Sequence, residues 1–119
     1  MRQFFTTITT ATALLLGLTL QALPAAAASF DCEGKTLAAD EKAICDNRDL
    51  NDADVRMVTT FEILTGLLAM GTRGEMQEDQ SAWLKRRQAC AADVACIRTA
   101  YAERLKQLSE TFQQINRPL

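Results

Sequence analysis

Cys32, Cys45, Cys90 and Cys96 are the residues most committed to a particular chemistry. Thiolates ligate zinc, carry redox reactions or close disulfides. Zinc ribbons favour C-x2-C pairs, whereas the spacings here are C-x12-C and C-x5-C. No C-x-x-C redox motif occurs. An even number of cysteines in an exported chain reads as a disulfide framework, and the leader described below implies export. Four cysteines allow three pairings. The two local ones, Cys32–Cys45 and Cys90–Cys96, are expected. In the chain-entropy picture they are worth about 3 and roughly 2.4 kcal/mol, which rivals the net stability of a small domain.

The remaining chemistry is narrowed by what the sequence lacks. It contains no histidine, the commonest general base and metal ligand. No Gly-rich phosphate loop is present. Two carboxylates suffice for glycoside hydrolysis, and Asp49, Asp52 and Asp54 cluster. That cluster opens a helix, where acidic residues complement the dipole. We therefore expect no catalytic residue, no metal and no cofactor, and a protein that binds. Gln80, Trp83 and Arg87 fall at i, i+3 and i+7 on one helical face. A tryptophan beside an arginine fits a binding hot spot. It fits equally a core tryptophan with an arginine bonded to carbonyls or to the Tyr101 hydroxyl. Tyr101 and Arg104 lie at i and i+3 on the next helix and read, with Gln80, as scaffold.

The elements that carry these residues are all helical. Between the leader and Pro118 there is no proline, and good helix formers dominate. Residues 36–45 give a short first helix with Thr36 as its N-cap. Residues 50–70 give a second, striped by Leu50, Ala53, Met57, Phe61, Leu64 and Leu68. Gly71-Thr72-Arg73-Gly74 reads as a loop, with Gly71 at the left-handed cap position. Residues 75–90 form a third helix with a thin stripe of Met76, Gln80, Trp83, Arg87 and Cys90. Residues 94–115 form the fourth, with the cleanest stripe: Val94, Ile97, Tyr101, Leu105, Leu108 and Phe112. In a continuous helix Cys90 and Cys96 would stand about 9 Å apart along the axis, too far to bond. Their pairing requires a turn at residues 91–93, with Asp93 capping the fourth helix.

The first residues point to export. Arg2 precedes an apolar stretch that is densest over residues 11–20. Pro24 follows, then Ala25-Ala26-Ala27-Ala28. This is the layout of a secretory signal, too short in its dense part to span a membrane comfortably. Cleavage is expected after Ala28, with a cut one residue earlier nearly as good, leaving residues 29–119 as one soluble domain with no stable membrane insertion. Phe30 and Asp31 beside Cys32 do not suit a lipidation site. Arg2 is the only charged residue of the leader, so its removal takes the net charge from −2 to −3. A mildly acidic surface favours a basic protein partner over nucleic acid.

Several residues form an ordered pattern. They are Phe30-Asp31-Cys32, Glu41-Lys42-x-Ile44-Cys45, Leu50-x-x-x-Asp54, Gln80-x-x-Trp83-Leu84-x-x-Arg87-x-x-Cys90 and Cys96-Ile97-x-x-x-Tyr101-x-x-Arg104. The pattern resembles the LprI-type lysozyme inhibitor family of small exported bacterial proteins. The likeness runs over residues 30–108. Phe61 departs from it where the family often has tyrosine, and residues 65–75 follow no family pattern. The resemblance implies an all-α, disulfide-stapled domain that binds and inhibits lysozyme. Lysozyme clefts hold two carboxyl groups, which a cation on a protruding loop would suit. Arg73 is the candidate finger, and Trp83 and Arg87 are the other candidate partner contacts.

The expectation is one short helix and three longer ones packed antiparallel, exported to the periplasm or the medium. Its partner would be a protein, with lysozyme first. The alternatives are an envelope stress or chaperone-like binder, or a structural envelope protein. Neither the oligomeric state nor the source organism follows from the residues.

Overall fold

The computed structural model describes residues 28–116, so the leader and its expected apolar stretch lie outside the described residues. Four helices follow a short irregular segment: α1 (Ala39–Asp46), α2 (Arg48–Leu67), α3 (Met70–Ala89) and α4 (Val94–Ile115). The fold is all-α, as the uninterrupted run of helix formers predicts.

Helix α1 starts three residues later than expected. Thr36 does not cap it. Ala38 takes that position, and its backbone N–H donates to the Glu41 carboxylate at 2.9 Å. Glu41 thus makes one half of a capping box by accepting the Ala38 amide, while alanine has no side chain to make the other half. Asn47 alone separates α1 from α2. Its side chain donates to the Ala43 carbonyl at 2.7 Å, and its extended backbone turns the chain.

The expected loop at residues 71–74 is absent. Helix α2 ends at Leu67, Leu68 and Ala69 are extended, and α3 already begins at Met70. Gly71 and Gly74 lie in its first turns. Neither has positive φ, and a Cβ at either would meet nothing within 4 Å. A helical glycine costs only about 0.8–1 kcal/mol relative to alanine. Here two contacts offset that cost. The guanidinium of Arg73 reaches back to the Leu68 carbonyl at 2.9 Å, closing the end of α2, and the half-buried Leu68 packs on the core.

At the other hinge the sequence reading holds. Cys90 and Cys96 are bonded with Cα atoms 5.6 Å apart. Ala91 takes φ 49° to make the turn, and Asp93 accepts from the amides of Ala95 and Cys96 at 3.0 Å. Cys32–Cys45 is the second disulfide, tying the irregular segment to the last turn of α1.

Consecutive long helices run antiparallel, so α2 and α4 are parallel. Asp49 meets Arg98 near their starts, and Asp54 meets Tyr101 one turn on. These two helices form the most extensive interface. Ile44, Leu50, Met57, Leu64, Met76, Trp83, Ile97, Tyr101 and Leu108 make the core. α1 and both disulfides sit at one end of the bundle, where α1 lies beside the α3–α4 hinge. The α2–α3 junction and the end of α4 form the other.

Candidate functional site

Each helix contributes one polar side chain to a cluster in the core. Asp40 comes from α1, Asp54 from α2, Arg87 from α3 and Tyr101 from α4, all buried. Arg87 Nε donates to Asp40 Oδ2 at 3.0 Å, and Nη1 donates to the Tyr101 hydroxyl at 3.2 Å. The hydroxyl in turn donates to Asp54 Oδ1 at 2.6 Å, and Nη1 stands 3.6 Å from the same oxygen. The rings of Phe30 and Trp83 lie 5.6 and 5.8 Å from the guanidinium carbon, within cation–π range. Trp83 meets Tyr101 edge to face at 5.2 Å and donates its indole N–H to the Ala100 carbonyl at 2.8 Å.

The electrostatics follow from burial and these contacts. Burial, and then the hydrogen bond to Asp54, push the Tyr101 phenol well above its ordinary range, with Arg87 pulling weakly the other way. Burial alone would lower the Arg87 guanidinium. Tyr101 and Asp40 outweigh it and hold Arg87 above its usual value. The network is therefore a protonated phenol and a firmly charged guanidinium between two carboxyl groups.

A second buried group lies one turn along. Arg104 Nε donates to Gln80 Oε1 at 2.8 Å, and its other nitrogens donate to Gln107 Oε1 and to the Met76 carbonyl. Gln80 passes the chain on to the Met57 sulfur at 3.1 Å. Burial lowers the Arg104 guanidinium, only partly opposed by Asp79.

These positions correct two candidate contacts. Trp83 is 1% and Arg87 3% exposed, so neither offers a partner an accessible surface. Both serve the alternative reading, core packing and a bond to Tyr101. Gln80, Tyr101 and Arg104 are likewise buried in the scaffold. Arg73 is no finger on a loop: it sits half-buried in the first turn of α3, bonded to α2.

Two acidic residues take places that the sequence reading does not give them. Asp54 is wholly buried and does not belong to the dipole-facing group with Asp49 and Asp52. Its place on the Leu50–Met57 stripe was the available signal, since a carboxylate on an apolar face must find a buried partner. Asp40, on the buried face with Ala43 and Ile44, gave the same signal.

Most of the large exposed apolar side chains lie at one end, with Val55 in the first half of α2 as the exception. Ile63, Leu67, Met70, Phe112 and Ile115 are all more than one-third exposed, and Met70 reaches 85%. They lie at the α2–α3 junction and on the last turns of α4, the end remote from the disulfides. Among the described residues, no helix is long and apolar enough to cross a membrane.

The chain is similar to Lipoprotein LprI. The proteins of that name from Mycobacterium tuberculosis and Mycobacterium bovis are each 33% identical to it over 89 residues. That stretch is 72% of this chain and 43% of each LprI. The chain thus spans under half the length of the curated relatives it matches. No protein-family model matches it, and no solved structure matches it significantly. LprI is a lipoprotein by name. In this chain the Cys32 sulfur is bonded to Cys45.

Proposed function

We propose that the chain is an exported LprI-type binding protein that inhibits lysozyme-type muramidases by stoichiometric occlusion, without turnover. The observation that carries this reading is the similarity to LprI over 72% of the chain, taken with the family pattern at residues 30–108. Three features support it. The side chains with the richest chemistry, Asp40, Asp54, Arg87, Tyr101 and Arg104, are all buried and consumed in holding the helices. Function then falls to the surface. A domain of charge −3 also favours encounter with a basic enzyme at low salt, and disulfides persist in the oxidising compartments where peptidoglycan is attacked.

The contact face in this reading is the exposed apolar end, which includes Leu67 and Met70. Exposed apolar patches mark interaction sites. The partner is the acidic-cleft, basic-surfaced muramidase itself.

The test is a titration of cell-wall lysis by a panel of animal and bacterial lysozymes, with oxidised protein at low and physiological salt. Saturable inhibition near one-to-one stoichiometry is expected, weakening as salt rises. An unaffected panel removes lysozyme from the reading. The double variant Leu67→Ser/Met70→Ser should lose at least about tenfold in affinity, since truncated hot-spot residues cost 1 kcal/mol or more each. Its melting should be unchanged, because both side chains are exposed.

The same exposed end suits a second reading, an envelope chaperone-like protein that holds unfolded clients. Dye binding by the oxidised protein, together with suppression of client aggregation and no effect on lysis, would favour it.

A further inference from the structure

The buried charge cluster is unbalanced. Asp40 on α1 and Asp54 on α2 face a single guanidinium, Arg87 on α3, and the phenol of Tyr101 on α4. The other buried guanidinium, Arg104, is occupied by Gln80, Gln107 and the Met76 carbonyl. With both carboxyl groups ionised, the cluster holds one negative charge in excess. An uncompensated buried charge is costly.

Asp54 has a second oxygen, and it is not idle. Oδ2 accepts from the backbone nitrogen of Ser29 at 2.6 Å. That nitrogen is held in place from its C-terminal side. Phe30 packs on the core with its ring over Arg87, and Cys32 is bonded to Cys45. Ser29 is also the residue that follows the expected cleavage point.

We propose that cleavage of the Ala28–Ser29 peptide bond turns this amide donor into an ammonium ion that pairs with Asp54, so that removal of the leader completes the buried charge cluster. The step is a peptidase-catalysed hydrolysis. Water adds across the bond, Ala28 leaves as a carboxylate, and the Ser29 amine takes up a proton. Before cleavage the nitrogen offers a neutral hydrogen bond. Afterwards it supplies the missing positive charge at the same position, so a bond from a neutral donor to the carboxylate becomes an ion pair of opposite charges. The unprocessed chain would reach the same fold with less stability.

The pairing has a pH signature. A chain-terminal amine ordinarily titrates near 7.7–8.0, and a buried carboxylate partner raises that value. Stability from the pair is therefore complete below about pH 8 and lost as pH rises through the raised value. Tyr101, held above its ordinary range, and every other titrating group are common to both forms compared below.

Asp54→Asn would also disturb Tyr101 and Arg87, so the amine itself is the better target. The full chain is exported and processed by a bacterial host, and intact mass gives its first residue. One portion is treated with mild periodate in denaturant, disulfides intact. Periodate cleaves the amino-alcohol of an N-terminal serine and replaces the amine with an aldehyde. Both portions are then refolded, and denaturant midpoints are compared at pH 7 and pH 10. The expected result is a mature chain beginning at Ser29. The untreated form should exceed the oxidised form by about tenfold or more in the unfolding equilibrium constant at pH 7, with the difference shrinking at pH 10. A different first residue overturns the proposal, as does an equal stability of the two forms at pH 7.

Discussion

Arg87 decides how tightly the interior is held, because it is the one buried cation that both buried aspartates share. Removing one member of such a group leaves an uncompensated charge behind, typically a loss of about 3–5 kcal/mol. Arg87→Ala should therefore unfold at much lower denaturant, with a loss of that size in an equilibrium melt. Trp83→Ala should lose a similar amount, about 3–5 kcal/mol, as a large truncation in a packed core. Trp83 is the sole tryptophan and is buried, so its fluorescence reports global unfolding in the other variants without a label. Tyr101 offers a second intrinsic probe, being the sole tyrosine. Its phenol is raised in the folded state by burial and by Asp54. The stability it contributes is complete below its ordinary value near 10 and is lost as pH climbs beyond it. Phenolate absorbance should stay absent from the native protein above pH 10 and appear only with unfolding. Tyr101→Phe should flatten that alkaline loss. A phenolate signal rising smoothly near pH 10 in folded protein would contradict the buried hydrogen bond.

At the scale of the elements, the two hinges respond to substitution in opposite ways. The α3–α4 turn depends on Ala91 in the left-handed region, where a β-branched side chain is strongly disfavoured. Ala91→Val should lower stability by about 1–2 kcal/mol, and Ala91→Gly should be tolerated. Both are read from denaturant midpoints. The α2–α3 turn has no left-handed residue, so Gly71→Ala and Gly74→Ala, each meeting open space, should raise stability by up to about 1 kcal/mol. That contrast also explains which hinge the sequence revealed. Residues 91–93 were readable because bonding two cysteines six apart forces a break and Asp93 supplies a cap. Residues 71–74 misled because glycine marks loops only on average. What ends α2 is the bond from Arg73 to the Leu68 carbonyl, a contact with no local sequence signature. The stripes of α2 and α4 were plain because their apolar residues recur regularly. Asp40 and Asp54 were hidden because a carboxylate's partner is invisible until the helices are in place. Trp83 and Arg87 could be placed on one face from spacing, but only packing decided that the face points inward.

For the whole molecule, the layout of the cross-links matters more than their number. Both disulfides lie at the end where α1 crosses the α3–α4 hinge. The opposite end, with the exposed Leu67 and Met70, is held among the described residues by packing and by the Arg73 contact. The buried charge cluster sits toward the stapled end, and the Arg104 group lies one turn further out. The helices are thus cross-linked at one end, while at the other α2 and α3 are joined only by their two-residue turn. Amide hydrogen exchange should show a gradient, slowest around residues 44–54 and 97–101 and fastest toward residues 63–70 and 112–115. A uniform protection profile would mean that the far end is as rigid as the near one. The gradient carries a consequence for recognition. In the proposed complex, the end that meets the partner is the one without a cross-link, so ordering it on docking would leave the disulfide-closed end and its buried charges undisturbed.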